Sequence, residues 1–168
     1  VDLERAGKLL MVVTQNIDGL HSRAGLSREK LVELHGTNGL VECQTCHEES
    51  DPDPHFERFK KTRKPPLCSC GGFLKPATIS FGQNLRPGDL KAAEQAAQKT
   101  DFVVSLGSSL SVYPASEIPL LAARRGVPYA VVNRGLTDHD EFPEVSLRLE
   151  GDVVDLFPPA VKRACVTE

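Results

Sequence analysis

Four cysteines in two close pairs constrain the middle of this chain more than any other feature. Cys43 and Cys46 form the first pair, Cys68 and Cys70 form the second, and Cys165 stands alone. A chain without secretory features keeps its thiols reduced, so close pairs indicate a metal site before they indicate disulfides. The pairs therefore predict one metal centre built from two turns of the chain.

The predicted metal is zinc, which prefers four sulfur or nitrogen ligands in a tetrahedron. Four thiolates fill every position and leave none for water, so the expected site is structural rather than catalytic. Cys68 and Cys70 are spaced one residue more tightly than the first pair, and His47 is an alternative fourth ligand to Cys68. Four free buried thiols in a small polar module are the other interpretation of this pattern.

Residues 38–77 contain all the paired cysteines together with several prolines and the double glycine Gly71-Gly72. Such a stretch has too few apolar residues for a core of its own, and a metal ion can take the place of that core. We therefore predict a zinc-binding module at residues 38–77 and a second domain made of residues 1–37 and 78–168.

The flanking residues alternate between strand-like and helix-like patterns. Continuous apolar runs rich in β-branched residues predict buried strands at residues 9–13, 102–106 and 127–132. Alanine-rich or amphipathic stretches predict helices at residues 87–100, 115–125 and 153–165. Gly126 is a plausible stop for the second helix, and Pro158-Pro159 should bend the third or delay its start. The alternation predicts an α/β fold with a parallel sheet, whose carboxyl edge lines a ligand crevice.

Charge and hydropathy exclude several classes of protein. The formal net charge is −3, and the one basic cluster, at residues 58–64, fits a solvated loop or helix end better than a nucleic-acid site. No apolar stretch approaches the roughly 20 residues that a membrane-spanning helix needs, and the first residues show no signal-peptide pattern. We expect an intracellular protein that binds neither nucleic acid nor membranes directly, with its compartment and oligomeric state left open.

Three polar motifs are candidates for chemistry. Residues 14–21 read Thr-Gln-Asn-Ile-Asp-Gly-Leu-His after a predicted strand, although such a turn can equally cap its own backbone. His35 precedes Gly36; its reference pKa near 6.5 suits a general base, but a packed histidine fits the pattern as well. Gly107-Ser108-Ser109 could contact a phosphate or a ribose. No Gly-x-Gly-x-x-Gly fingerprint supports dinucleotide binding from spacing alone.

Taken together, the motifs resemble the sirtuin family of NAD-dependent protein deacylases, over nearly the whole chain. The matching residues are 14–21, Glu33-Leu34-His35-Gly36, the two cysteine pairs, Gly71-Gly72, Leu74-Lys75-Pro76, Phe81-Gly82, 107–114, Asn133 and Gly151-Asp152. The resemblance implies a Rossmann-like domain that carries a small zinc module, with NAD as cosubstrate and an acylated-lysine protein or peptide as substrate.

The resemblance also implies roles for individual residues. His35 resembles the catalytic base, assisted by Asn16 and Asp18. The nicotinamide and its ribose would contact Gln15, Asn16, Ile17 and Asp18, and the adenosine side would contact Gly107, Ser108, Ser109, Asn133, Arg134, Gly135 and Val153. The substrate peptide would lie as an extended strand along Ile79, Phe81 and Gly82. Implied products are free lysine, nicotinamide and O-acyl-ADP-ribose.

The chain departs from the family pattern in three places. The family's glycine-rich phosphate loop has no counterpart in these residues, the Cys68–Cys70 spacing is short, and Gln83 follows Phe81-Gly82 where many members have glutamate. We therefore expect an incomplete NAD cradle, weak or absent turnover and an exposed apolar sheet edge. The alternatives to a deacylase are a binding or regulatory module that lacks activity and an ADP-ribosyltransferase.

Overall fold

The computed structural model describes residues 1–166, which form two compact units. The parallel-sheet unit comprises Val1–Val12 and the chain from Pro87 onward, and the cysteine unit comprises Val13–Arg86. In chain order the helices are α1 (Asp2–Arg5), α2 (Leu20–Arg23), α3 (Pro52–Thr62), α4 (Pro87–Lys99), α5 (Glu117–Ala123) and α6 (Val153–Cys165). The strands are β1 (Val12–Thr14), β2 (Leu31–Glu33), β3 (Gly36–Cys43), β4 (Glu49–Ser50), β5 (Leu74–Thr78), β6 (Val103–Leu106), β7 (Tyr129–Asn133) and β8 (Leu147–Glu150).

Strands β6, β7 and β8 form a parallel sheet with β7 in the centre. The first four residues of β7 are buried, which is why its sequence is continuously apolar. The core cluster contains Leu110, Leu120, Ala123, Tyr129 and Val131. Helix α5 packs on β6 and α6 packs on β7, so the predicted α/β architecture with a parallel sheet is confirmed.

Two local predictions in the parallel-sheet unit need correction. The predicted strand at residues 9–13 begins only at Val12, and Leu10 is 45% exposed. The Lys8 N–H donates to the Leu3 carbonyl at 2.8 Å, so the turn that ends α1 extends to residue 8. Of the two effects expected of the proline pair, a bend or a delayed start, the delay does not occur. Helix α6 starts at Val153, where the Asp152 side chain caps it by accepting from the Val154 N–H at 2.9 Å. Helix α5 ends shortly before Gly126, as expected.

The cysteine unit is built on antiparallel strands. Strand β3 lies between β4 and β5, and its ladder with β5 begins at the pair Gly36 and Thr78. A second, two-stranded sheet joins β1 to β2. This unit contains all four paired cysteines and extends beyond residues 38–77 on both sides, while the domain boundaries at 37/38 and 77/78 stay a prediction. Among residues 1–166, no helix is long and apolar enough to cross a membrane.

Candidate functional site

His35 lies in the tight connection between β2 and β3. Its Nδ1 atom is 3.2 Å from the backbone carbonyl oxygen of Gln15, and the Leu34 N–H donates to the Thr14 carbonyl at 2.9 Å. A carbonyl oxygen can only accept a hydrogen bond, so Nδ1 is the donor and the Nε2 atom of the neutral ring is the basic nitrogen. The structure therefore places the residue-35 imidazole against the backbone of the Gln15 motif and sets its tautomer.

Gly36 gives His35 its backbone position. It has a φ of +73°, and a Cβ at this residue would lie 2.1 Å from the Ala77 carbonyl oxygen. Only glycine fits such a close approach of β3 to β5 at this backbone angle. The Ile79 N–H also donates to the His35 carbonyl at 2.9 Å, so the predicted base and the start of the predicted peptide edge are directly joined.

The loop after β1 holds the other predicted nicotinamide-side residues. Asn16 and Asp18 are exposed, whereas Gln15 and Ile17 are half-buried. The Asp18 carboxylate accepts from the Leu20 N–H at 3.0 Å at the start of α2, and the Ile17 carbonyl accepts from the Asn38 N–H at 2.8 Å. The loop thus does cap its own backbone, as the alternative interpretation expected, and it is anchored to β3 at the same time.

The predicted peptide edge continues from Ile79 into a closed turn. The Ser80 N–H donates to the Gln83 side-chain oxygen at 2.8 Å, and the Gln83 N–H donates back to the Ser80 carbonyl at 2.9 Å. Phe81 and Gly82 lie at the tip, where Phe81 is fully exposed and Gly82 has a φ of +84°. Gln83, one of the departures from the family pattern, therefore shapes the turn that presents Phe81.

In the parallel-sheet unit, the predicted adenosine-side residues come together at the carboxyl ends of two neighbouring strands. The Gly107 N–H donates to the Val132 carbonyl at 2.9 Å, which places the end of β6 beside the end of β7. A Cβ on Gly107 would meet the Val153 side chain at 3.5 Å, and the Gly151 N–H donates to the Asn133 carbonyl at 3.1 Å. Strand ends and the first turn of α6 therefore form one cluster of small and polar groups.

Two loops extend this cluster. The Ser109 carbonyl accepts from the Asp138 N–H at 2.9 Å, which ties the loop after β6 to the loop after β7. Exposed Arg134 pairs with the Asp152 carboxylate. The Val154 N–H, and then the Arg134 guanidinium, hold the pKa of Asp152 below its ordinary value, so this carboxylate is ionised at neutral pH.

The four paired cysteines form a single cluster in the cysteine unit. Their Sγ atoms all lie within 4.8 Å of one another, with Cys43 to Cys70 at 3.5 Å and Cys46 to Cys68 at 3.7 Å. A tetrahedral zinc with Zn–S bonds of about 2.3 Å requires sulfur separations of about 3.8 Å. The donor set and its spacing fit a structural zinc, and the alternative ligand His47 is instead paired with the Glu42 carboxylate at 2.9 Å.

Two tight turns bring the cysteines together. The first is closed by the His47 N–H on the Cys43 carbonyl at 3.0 Å, and the shorter second turn by the Gly71 N–H on the Cys68 carbonyl at 2.9 Å. The short spacing fits because Gly72 has no side chain: a Cβ there would lie 2.6 Å from Cys43 Sγ.

The thiols themselves favour a bound cation. The backbone N–H groups of Cys46 and Thr45 lower the pKa of the Cys43 thiol to about 6. At Cys46 the backbone N–H of Glu48 acts in the same direction, but the neighbouring Cys70 and Cys43 thiols outweigh it and raise the pKa. A divalent metal ion would stabilise four thiolates together, because its charge offsets their mutual repulsion.

Sequence reasoning missed a polar network beside Asn133. Arg148 on β8 donates to the carbonyl oxygens of Asn133 and Gly135 and also to the Asp140 carboxylate. The available signal was a charged residue within the alternating segment Leu147–Glu150, which indicates one polar and one apolar face.

Comparison with known proteins identifies the family. The model of the Sir2 family matches residues 1–114, and the chain belongs to that family. It is 40% identical over 162 residues to an NAD-dependent protein deacetylase of Haloarcula marismortui, covering 96% of this chain and 61% of the relative. It is 36% identical over 159 residues to the protein of the same name from Sulfolobus acidocaldarius, covering 95% of this chain and 60% of the relative.

A solved structure supports the same assignment. The complex described as "Sir2-p53 peptide-NAD+" superposes with a TM-score of 0.87 at 33% identity, covering 98% of this chain and 67% of that chain. The chain spans about 60% of the length of the two archaeal deacetylases named above. The resemblance to sirtuins and the Rossmann-like fold with a zinc-binding cysteine cluster are confirmed.

Proposed function

We propose that this chain forms the part of an NAD-dependent protein-lysine deacylase that carries the catalytic base. Its relatives are named NAD-dependent protein deacetylases, and a structural neighbour is a Sir2 complex with a peptide and NAD. The observation that carries the proposal is the contact between His35 Nδ1 and the Gln15 carbonyl, which directs the proton onto one ring nitrogen and leaves the other basic. An intracellular location belongs to the proposal as well.

In the cysteine unit, His35 acts as the general base towards a ribose hydroxyl. The exposed side chains of Asn16 and Asp18, with Gln15 and Ile17, hold the nicotinamide and its ribose. The acylated peptide lies along the edge that starts at Ile79 and ends at the Phe81-Gly82 turn, where it pairs through its backbone. The direct hydrogen bond between residues 35 and 79 supports this assignment, since it couples the base to the peptide edge.

In the parallel-sheet unit, the cluster at the strand ends contacts the adenosine side of NAD. Gly107, Ser108 and Ser109 offer a close backbone approach and hydroxyl groups, as a ribose or phosphate requires. The remaining adenosine-side residues of the proposal are Asn133, Arg134, Gly135 and Val153. The adjacency of Gly107, Asn133 and Val153 supports their joint assignment.

NAD supplies an electrophilic ribose carbon that bears an already cationic leaving group. The protein therefore contributes positioning and proton transfer rather than strong activation of the leaving group. Acyl-lysine, NAD and one water are converted into free lysine, nicotinamide and O-acyl-ADP-ribose, and the base accepts the proton of the ribose hydroxyl that takes the acyl group. The four-cysteine site takes no part in these steps, because four thiolates leave zinc no open position.

Nicotinamide release from NAD in the presence of an acetyl-lysine peptide tests the proposal. We expect slow release that depends on the peptide and continues over many turnovers. Its steady-state rate should fall by about 10²–10⁴-fold in His35→Ala, because the ribose-hydroxyl step that needs the base must finish before the next NAD reacts. His55→Ala is the matched control, since His55 is another partly buried histidine of the same unit. Its Nε2 atom lies 3.0 Å from the Ser50 hydroxyl oxygen. Steady-state release at an unchanged rate in His35→Ala, or no release from the unaltered chain, would contradict a deacylase activity of this chain.

The same assay separates the other two functions. Release that needs neither the peptide nor His35, with ADP-ribose transferred to protein, would identify an ADP-ribosyltransferase. Binding of ADP-ribose without any release would identify a binding or regulatory module.

A further inference from the structure

The turn after β7 is held by a side chain from the neighbouring strand. Arg148, on β8, donates from Nη1 to the Asn133 carbonyl at 3.2 Å and from Nη2 to the Gly135 carbonyl. The Asn133 side chain donates to the same Gly135 carbonyl at 3.1 Å. Together with the Gly151 N–H, which donates to the Asn133 carbonyl at 3.1 Å, four hydrogen bonds converge on the two carbonyl oxygens that bracket Arg134.

The arginine is itself fixed by an acidic partner. Its Nε atom donates to Asp140 Oδ1 at 2.8 Å, and Asp140 accepts in addition from the Thr137 N–H at 3.1 Å and from the Thr137 hydroxyl. The side chains of Arg148 and Asp140 are only 21% and 18% exposed. These hydrogen bonds, that from Arg148 first, lower the pKa of Asp140 to about 2, so the carboxylate stays ionised across the neutral range.

The backbone of the turn needs this support. Gly135 has a φ of +156°, a conformation that side-chain-bearing residues rarely adopt, and Leu136 beyond it is 88% exposed. Apolar packing therefore contributes little to holding the turn. The planar guanidinium of Arg148 presents several donors in a fixed fork, so one side chain can orient both carbonyls and the carboxylate together.

We propose that Arg148, locked by Asp140, is a positioning residue that sets the shape of the Asn133–Gly135 turn and thereby the affinity for the adenosine part of NAD. This inference rests on the proposed function, because it takes that turn as an adenosine contact. Arg148 acts through the backbone of the turn and makes no contact with the ligand.

Two measurements on the same variants test this inference. Amide hydrogen exchange of Thr137 and Gly151 at the turn, without ligand, reports whether Arg148 holds it, because their N–H groups donate to the Asp140 carboxylate and to the Asn133 carbonyl, each at 3.1 Å. Calorimetric titration with ADP-ribose, which carries the adenosine but no nicotinamide, reports whether the shape of the turn matters for binding. The test variant is Arg148→Lys, which keeps the charge but cannot reproduce the fork. Arg124→Lys is the matched control, since Arg124 pairs with Glu117 on the surface of the same unit.

We expect Arg148→Lys to accelerate exchange in the turn and to weaken ADP-ribose binding about tenfold, with unchanged exchange in the core strand β7. Asp140→Asn should move both readouts in the same direction by a smaller factor, and Arg124→Lys should move neither. A change in global stability alone would alter exchange in β7 and in the turn alike, so it is distinguishable from loss of positioning.

Unchanged exchange in Arg148→Lys would overturn the inference, whatever the ligand result. Faster exchange with unchanged ADP-ribose affinity would also overturn it, because the turn would then be held but irrelevant to the ligand. If the unaltered chain bound no ADP-ribose, the proposed adenosine site and the affinity part of this inference would both fall. The exchange data would still decide whether Arg148 shapes the turn.

Discussion

Replacing Gly36 by alanine adds a single methyl group, but it should strongly destabilise the connection that carries His35. The added Cβ would lie 2.1 Å from the Ala77 carbonyl oxygen and 3.0 Å from the Thr78 Cα, and ordinary contacts begin at 3.4 Å. Both neighbours are backbone atoms of β5, so no side chain can move aside. Strands β3 and β5 would have to separate by about 1.3 Å at this point.

The magnitude has two parts. A residue other than glycine at a φ of +73° costs about 1–2 kcal/mol, and the steric overlap costs about 1–3 kcal/mol more. We therefore expect Gly36→Ala to lower the free energy of unfolding by about 2–5 kcal/mol, a large fraction of the roughly 5–15 kcal/mol of a typical domain. Nicotinamide release should fall as well, because the Ile79 to His35 hydrogen bond would be displaced with the strands.

Gly25→Ala separates the two parts. Gly25 lies in the same unit and has a similar φ of +89°, but a Cβ added there would have no other atom within 4 Å. It should lose only the conformational part, about 1–2 kcal/mol. Both variants are compared by urea unfolding followed by far-ultraviolet circular dichroism. If the two substitutions differed by less than about 1 kcal/mol, the steric account of the His35-Gly36 connection would be refuted.

Three further predictions concern the metal centre, the core and the response to acid. Cys70→Ser should reduce bound zinc below about half an equivalent after gel filtration, while Cys165→Ser, outside the cluster, should retain a full equivalent; equal metal content in both would contradict the four-cysteine site. Leu120→Ala, at a fully buried position, should cost about 2–5 kcal/mol in urea unfolding, whereas Leu136→Ala, 88% exposed, should stay within about 0.5 kcal/mol, and the reverse order would refute the assigned core. Hydrogen bonding lowers the pKa of Asp140 to about 2 in the folded chain, below the roughly 3.9 of an unfolded aspartate. The charged carboxylate therefore stabilises the folded state above about pH 4, and this contribution is lost as the pH falls towards 2. The difference in urea midpoint between the unaltered chain and Asp140→Asn should therefore shrink between pH 5 and pH 2.5, and a constant difference would contradict the assigned ionisation.

Elements with a strong local pattern were predictable. Helix α4 was expected at residues 87–100 and occupies Pro87–Lys99, because its alanine background and apolar spacing both favour a helix. The sequence does not predict strand β8, Leu147–Glu150, although leucine alternates with charged residues there, because a run of four residues is too short to distinguish a strand from a loop. Helix α3 was missed as well, since its charged, proline-containing sequence buries no residue.

In the candidate site, too, the separate motifs were predictable from the sequence, but the contacts between them were not. The motif around Gln15 and the motif around His35 were both visible, but the hydrogen bond between them joins residues 20 positions apart and has no local signature. The role of Arg148 could not be predicted, since no residue near it in the chain indicates that it bonds the carbonyl oxygens of Asn133 and Gly135.

Residue chemistry and spacing along the chain were enough to determine the parallel α/β architecture and the four thiols of a zinc site, because both depend on local propensity or on short motifs. The family followed from the resemblance of those motifs to the sirtuin pattern. The tertiary structure alone decided that Cys68 rather than His47 joins the cluster. It also decided that His35 Nδ1 contacts the Gln15 carbonyl and that Arg148 donates to the Asn133 carbonyl. Those contacts form only when segments far apart in the chain pack together, so no periodic pattern in the amino-acid sequence predicts them.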